Sequence, residues 1–383
     1  MGSEGKKTPT HFRFFDNREK YLMFVTTCSE KWAIAERVGL EFQDIAPTPP
    51  ALRVFDAGTG DGTVLARVMR QLHREFPTVP FLVVAKEISL EDVRLSLEKM
   101  PDRLAEHPQL VVVMTNMYYY EAAGLWPRSP DGGSRLNWCE LALAGQSAHE
   151  FDDQIRALQP KLAEWWDVRT SQKTGNPLYV NPSVLVIYRA DHRFALDTVI
   201  PRKGNAEGLY DLVIAAQPYR ARMPVETKVK YVLEPLTKAL APGGRMVVIQ
   251  STGQDPGMDI IRKVWPDEDP FKTPRRVLLR ALREELGSTG EDLEYLPYDD
   301  DRALFRFELH VMPTEVSEHI GTSTLLAAWN AATYVAQIGG GRLAEAMTRS
   351  DYMDATREVV GRHGGLWFLD ESFVVARKRE PGP

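Results

Sequence analysis

An apolar run, Val54-Phe55, ends in Asp56 and gives way to glycines at every second position, Gly58, Gly60 and Gly62, before Val64-Leu65-Ala66-Arg67-Val68-Met69 opens a helical pattern. Strand, tight turn and helix start in that order favour an α/β fold. They set the turn at the carboxyl end of a strand, where open sheets of this kind bind ligands. Glycine has no Cβ, so the backbone can take positive φ there and a ligand can lie directly against it.

The ligand class follows from the residues around the glycines. A dinucleotide fingerprint needs G-x-G-x-x-G with a pyrophosphate on the helix N-terminus. Here the spacing is Gly58-x-Gly60-x-Gly62, with Asp56 before it and Asp61 within it. Two carboxylates disfavour a pyrophosphate and suit a ligand with a cationic centre, an ammonium and hydroxyls. No Gly-Lys-Ser/Thr follows, so a phosphate-binding P-loop is excluded.

These residues resemble motif I, D/E-x-G-x-G-x-G, of the class I S-adenosylmethionine-dependent methyltransferases. The resemblance spans about residues 52–251 and implies S-adenosylmethionine as cofactor. It puts the turn Gly58-Thr59-Gly60-Asp61-Gly62 under the amino-acid part and Asp56 towards its ammonium. Glu87, the acid ending the second strand, would accept hydrogen bonds from both ribose hydroxyls. Asn116 and Met117, after the third strand, loosely match the pair that reads adenine. Pro242-Gly243-Gly244 is a further shared feature, serving a tight turn.

The fold expected is α/β: a seven-stranded Rossmann-like methyltransferase sheet with helices on both faces, an insert between strands 3 and 4, and an N-terminal helical cap. Strands are predicted at 52–56, 81–85, 110–114, 210–215, 245–250, 304–312 and 372–376, the last antiparallel and inserted, as the resemblance implies. The run Phe81-Leu82-Val83-Val84-Ala85 marks a strand buried on both faces. Helices are predicted at 63–76, from a Ser89 N-cap to a stop at Pro101, around 149–165, and at 325–338 and 343–360. Pro235 should split or kink a helix built on Val229, Val232, Leu233 and Leu236. From 124 to 208 the alternation fails. A hairpin of 183–188 with 194–200 is expected within a lid or small subdomain. The segments are 1–50 (helical cap), 51–123 (first half of the cofactor core), 124–208 (insert) and 209–383 (second half with C-terminal helices). The aromatic-rich segment from Phe12 to Asp44 reads as packing on the sheet, as a cap over the cofactor, or as both.

On the acceptor side, the segment after strand four reads Ala215-Ala216-Gln217-Pro218-Tyr219-Arg220. Amino-group methyltransferases carry N/D/S-P-P-Y/F there. This chain keeps Pro218 and Tyr219, has Ala216 where the acid or amide belongs, and offers Gln217 as a substitute. Gln217 and Tyr219 are therefore the candidate catalytic residues. Tyr118 to Tyr120, His149, Glu150, Asp191 and His192 are weaker candidates for a base. His149-Glu150 opens like a zinc motif, but Asp153 replaces the second histidine and no metal is expected.

The net charge of −6 argues against a nucleic-acid partner. Arg275, Arg276, Arg280 and Arg283 read as the solvated face of one helix. No apolar stretch is long enough to cross a bilayer. The two cysteines, Cys28 and Cys139, read as reduced thiols of a cytoplasmic protein. The function expected is methyl transfer to nitrogen or oxygen of a small-molecule acceptor in an enclosed pocket. The alternatives are an amino-methyltransferase of RNA, DNA or protein, an aminopropyltransferase-like enzyme, or a non-catalytic user of the same pocket. The oligomeric state stays open, a homodimer included.

Overall fold

The computed structural model describes residues 18–172, 175–311 and 320–379. Phe12, Phe14 and Phe15, the lead at 1–7 and the expected strand end at Met312 lie outside the described residues.

The strands are β1 (Leu52–Asp56), β2 (Phe81–Lys86), β3 (Leu110–Thr115), β4 (Asn137–Leu143), β5 (Val168–Thr170), β6 (Pro177–Tyr179), β7 (Ser183–Arg189), β8 (Tyr210–Ala216), β9 (Leu240–Ser251), β10 (Leu293–Leu296), β11 (Leu304–Glu308) and β12 (Trp367–Arg377). The main sheet runs β10-β12-β9-β8-β1-β2-β3-β7-β4, with β11 also on β12, while β5 and β6 form a separate ribbon. Neighbours from β3 through β2, β1 and β8 to β9 are parallel, and β12 lies antiparallel between β9 and β10. Among the described residues the sheet therefore has ten strands instead of the expected seven. Two of the additional strands, β4 and β7, come from the insert, and β10 and β11 pair with different lengths of β12.

The central strands are apolar throughout because both faces are covered. Leu52 and Val54 pack on one side with Val64, Leu65, Val68, Met69 and Leu72 of the helix Thr63–Glu75. Phe55 and Ala57 pack on the other with Leu236 and with Leu278 and Leu282 of the helix Arg275–Leu286. Helices on both faces leave the carboxyl ends of the parallel strands as the open edge where loops gather.

Several expectations are corrected. Pro101 does not stop a helix. The helix begun at the Ser89 cap ends at Leu97, and Pro101 sits in the first turn of the next, Met100–Glu106, where a missing N–H costs nothing. Pro160 likewise opens Gln159–Trp165, separate from Ala148–Arg156. The 183–188/194–200 hairpin is absent: β7 pairs with β3 and β4, and residues 194–199 form turns with Phe194 98% exposed. The helix expected at 343–360 is two, Gly340–Met347 and Asp351–His363. Arg275 is buried instead of solvated. Before Pro235 the helix loosens into a π turn, Val229–Leu233, which re-routes the hydrogen bonding that the proline ring disrupts.

The N-terminal helices Arg18–Thr27 and Glu30–Gly39 do pack on the body. Phe24 stacks on Tyr334 at 4.9 Å. Just beyond them, the fully buried Glu41 accepts from Arg37 Nη1 (2.8 Å), Arg245 Nη2 (2.7 Å), Arg302 Nη2 (3.0 Å) and Tyr298 Oη (3.0 Å). Arg37 also donates to Ser372 Oγ of β12 at 2.6 Å. This charged knot fastens the N-terminal helices to β9 and β12. Among the described residues, no helix is long and apolar enough to cross a membrane.

Candidate functional site

The turn between β1 and the helix Thr63–Glu75 uses its three glycines differently. Gly62 has φ +78°, and a Cβ there would lie 2.8 Å from Ser96 Cα, so its bareness serves helix packing. Gly60 has φ +55°, and a Cβ there would lie 2.8 Å from Tyr21 Oη. Its outer face is covered by the helix Arg18–Thr27, which gives the N-terminal segment contact with the turn as well as the packing described above. Gly58 is exposed, and a Cβ there would meet nothing within 4 Å. The open cradle of the turn is therefore at Gly58.

Carboxylates surround that opening. Asp56, 2% exposed, accepts from Gly58 N at 3.2 Å, and burial pushes its pKa up to about 7. Asp61 accepts from Tyr21 Oη (3.3 Å) and from the Thr63 hydroxyl, while its own N–H donates to Tyr21 Oη at 3.2 Å. Burial raises the Asp61 carboxyl, but Lys31, Thr63 and Lys99 outweigh it and the net shift is down. Thr59, 4% exposed, donates its N–H to Lys86 O at 3.1 Å, tying the turn to β2.

Glu87 bridges turn and strand. Its Oε2 accepts from Gly60 N at 2.9 Å, and its Oε1 from Ile88 N (2.7 Å) and Ser89 N (2.9 Å). A carboxylate has about four lone-pair sites. Three backbone donors leave one direction, on Oε2, so the expected grip on two hydroxyls at once is reduced to one acceptor position.

Asn116 and Met117 lie beneath the surface at the end of β3. Asn116 is fully buried; its Nδ2 donates to Trp165 O (3.1 Å) and Asn181 O (2.9 Å), and its Oδ1 accepts from Ser183 N (2.8 Å). The side chain pins the insert to β3, with both amide hydrogens engaged there and Oδ1 accepting once. Met117 is also fully buried, in the core. Tyr119 is one of the three tyrosines among the weaker candidates for a base. It reaches across the sheet edge and donates to Pro218 O at 2.8 Å, joining the segments after β3 and β8.

Gln217 and Tyr219 share a cavity of about 240 Å³ at the carboxyl ends of β8 and β9, with Lys228, Gln250, Thr273 and Glu371 also in its wall. Gln217 takes φ +48° and donates through Nε2 to Ser251 Oγ (3.0 Å) and Asp370 Oδ2 (3.3 Å). Burial raises the Asp370 carboxyl well above its ordinary value. Tyr219 donates to Gln250 Oε1 at 3.0 Å, and burial raises its hydroxyl well above 10. His149 and Asp153 lie exposed on one helix, and His192 contacts Asp191 at 3.0 Å, away from these strand ends.

Sequence reasoning missed Asp370, Ser251 and Lys228. A signal existed for Lys228: it falls between Val225, Val229 and Val232 on one helical stripe, a cation on an apolar face.

No family model matches the chain. A stretch of 118 residues is 30% identical to highly reducing polyketide synthase 2 of Gibberella zeae, over 28% of this chain and 4% of that synthase. Among solved structures, geranyl diphosphate methyltransferase in complex with GPP and sinefungin is similar at 11% identity, covering 89% of this chain and 78% of that one, TM-score 0.34. PKMT2 from Rickettsia typhi in complex with AdoHcy is similar at 11% identity over 91% and 54%, TM-score 0.31. Phosphoethanolamine N-methyltransferase 2 of Haemonchus contortus is similar at 10% identity over 90% and 53%, TM-score 0.28. Likeness this low carries no functional argument, which rests instead on the chain's own turn and cavity.

Proposed function

We propose that this chain is an S-adenosylmethionine-dependent methyltransferase acting on nitrogen or oxygen of a small acceptor. The observation that carries the reading is the exposed, unobstructed backbone at Gly58 between Asp56 and Glu87. An acid-flanked cradle suits a ligand that brings its own positive charge. Asp56 would take the ammonium, the free direction of Glu87 Oε2 a ribose hydroxyl, and Gly58 the close contact. In this reading residues 1–50 cap the cofactor, 51–123 and 209–383 form the core, and 124–208 is the insert beside it.

The cofactor supplies an already activated methyl group, so the protein's work is alignment, which alone lowers a barrier by roughly 7–11 kcal/mol at best. Gln217 is held in its left-handed conformation with its amide fixed by Ser251 and Asp370, as an orienting group should be. Tyr219 keeps its proton at neutral pH and serves as a ring face and a donor, not as a base. A nucleic-acid acceptor is less well supported, since Arg275 of the basic helix is buried against Glu371.

Incubation with methyl-labelled S-adenosylmethionine and a metabolite extract tests this. Label in a small-molecule fraction is expected. Label confined to RNA, DNA or protein, or no transfer at all, would overturn the reading.

A further inference from the structure

Lys228 is a buried cation for which the reading above has no use. It ends the helix Val225–Lys228, directly before the π turn Val229–Leu233, and is 1% exposed. Its Nζ donates to Thr273 Oγ1 at 2.5 Å and stands 4.7 Å from the centroid of the Tyr219 ring. An ammonium has three donors. Among the described residues, Thr273 is the acceptor found for it, so donors remain beside the cavity that Lys228 lines.

The neighbouring carboxylates spend their direct contacts on other partners. Glu371 Oε1 accepts from Gln250 Nε2 (2.8 Å) and Arg275 N (2.9 Å), and Oε2 from Arg275 Nη1 (3.0 Å). Arg275 also donates through Nε to Pro297 O (2.9 Å) and through Nη2 to Asp300 Oδ1 (2.5 Å). Glu371 and the exposed Asp300 both spend their ion pairs on Arg275, and among the described residues no carboxylate forms an ion pair with the Lys228 ammonium, which Glu371 reaches only through the longer-range field. Burying an ion without a direct counter-ion is costly, and burial pulls the Lys228 pKa down to about 8.

We propose that this cavity receives the carboxylate of a small organic acid, with the Lys228 ammonium as its counter-ion and the Tyr219 ring against its body. One ammonium with spare donors, in a wall that also holds Glu371 and Asp300, suits a single carboxylate better than a phosphate dianion. The volume of about 240 Å³ falls below the roughly 300–1,000 Å³ of drug-sized sites. Gln217 lines the same cavity, so the acid is the methyl acceptor: a nitrogen or oxygen of the acid would form the new bond to the methyl carbon as the S–CH3 bond of S-adenosylmethionine breaks, S-adenosylhomocysteine leaving and any displaced proton passing to solvent. That last step rests on the methyltransferase reading; the carboxylate site itself does not.

Calorimetry on the full chain with benzoate and its neutral counterpart benzamide tests the site. Benzoate should bind at least tenfold tighter than benzamide to the wild type, and Lys228→Met should erase the difference while leaving S-adenosylmethionine affinity unchanged. Should the variant not fold, the ε-carbon and ε-nitrogen NMR signals of Lys228 in the wild type give the same answer, moving with benzoate and not with benzamide. Equal binding of the two probes, benzoate binding that survives Lys228→Met, an unmoved Lys228 signal, or inorganic phosphate binding more tightly than benzoate would overturn the proposal. If benzoate binding depends on Lys228 but the wild type binds no S-adenosylmethionine, the acid site stands and the methyltransferase reading falls.

Discussion

Gly58→Ala should weaken S-adenosylmethionine binding roughly 5- to 150-fold while leaving the fold intact. The added methyl meets no protein atom within 4 Å, and Gly58 is not among the residues at positive φ. Overpacking a fitted site costs about 1–3 kcal/mol, and here that cost falls on the ligand alone. Calorimetry reads the affinity and urea unfolding the stability. Gly62→Ala is the contrast: φ +78° and a Ser96 Cα at 2.8 Å make the protein itself bear the strain, so its urea midpoint should drop. Unchanged cofactor affinity in Gly58→Ala would mean that nothing lies over Gly58.

Glu41→Ala should lose about 3–5 kcal/mol in urea unfolding, because it takes from the buried Arg37 guanidinium its carboxylate and leaves Arg245 only the half-exposed Asp44 as an ion-pair partner. The loss bears on the site, since the Glu41 knot anchors the helices that set Tyr21 on the turn. The pH dependence has a defined sign. Burial raises the Glu41 carboxyl, but hydrogen bonds from Arg37 and Arg245 prevail and its pKa lies below the ordinary value of 4.5. A carboxyl depressed in the folded state stabilises above its unfolded pKa and loses that contribution as pH falls through the folded one. Wild type and Glu41→Gln should therefore converge in stability as pH drops below the usual carboxylate range. A gap that persists there would assign the effect to packing instead of charge.

Local patterns made the parallel core legible. Continuous apolar runs bounded by Gly, Pro or acid place β1, β2, β3 and β8 within a residue or so, because strands buried on both faces leave little freedom of composition. Edge elements were not legible. β4 is mostly half-buried along its length, and its residues take their partner, β7, from the far side of the insert. The run 194–200 has strand composition, yet Leu196 N bonds back to His192 O and closes a turn. The prolines at 101 and 160 carry two meanings, and only the preceding backbone decides between stop and start.

The candidate site divides the same way. Asp56, the glycines and Glu87 follow from one turn and the next strand end. Asn116 does not, because a side chain's partners 65 and 67 residues away, at Asn181 and Ser183, are set by tertiary packing. Asp370 reaches Gln217 from β12 for the same reason.

Calorimetric titration of the wild-type chain with S-adenosylmethionine and, separately, with NAD tests the acid-flanked cradle most directly. The account predicts one-site binding of the sulfonium compound, weakened at least tenfold by Glu87→Gln, and no heat from the dinucleotide. Binding of NAD with none of S-adenosylmethionine would contradict it.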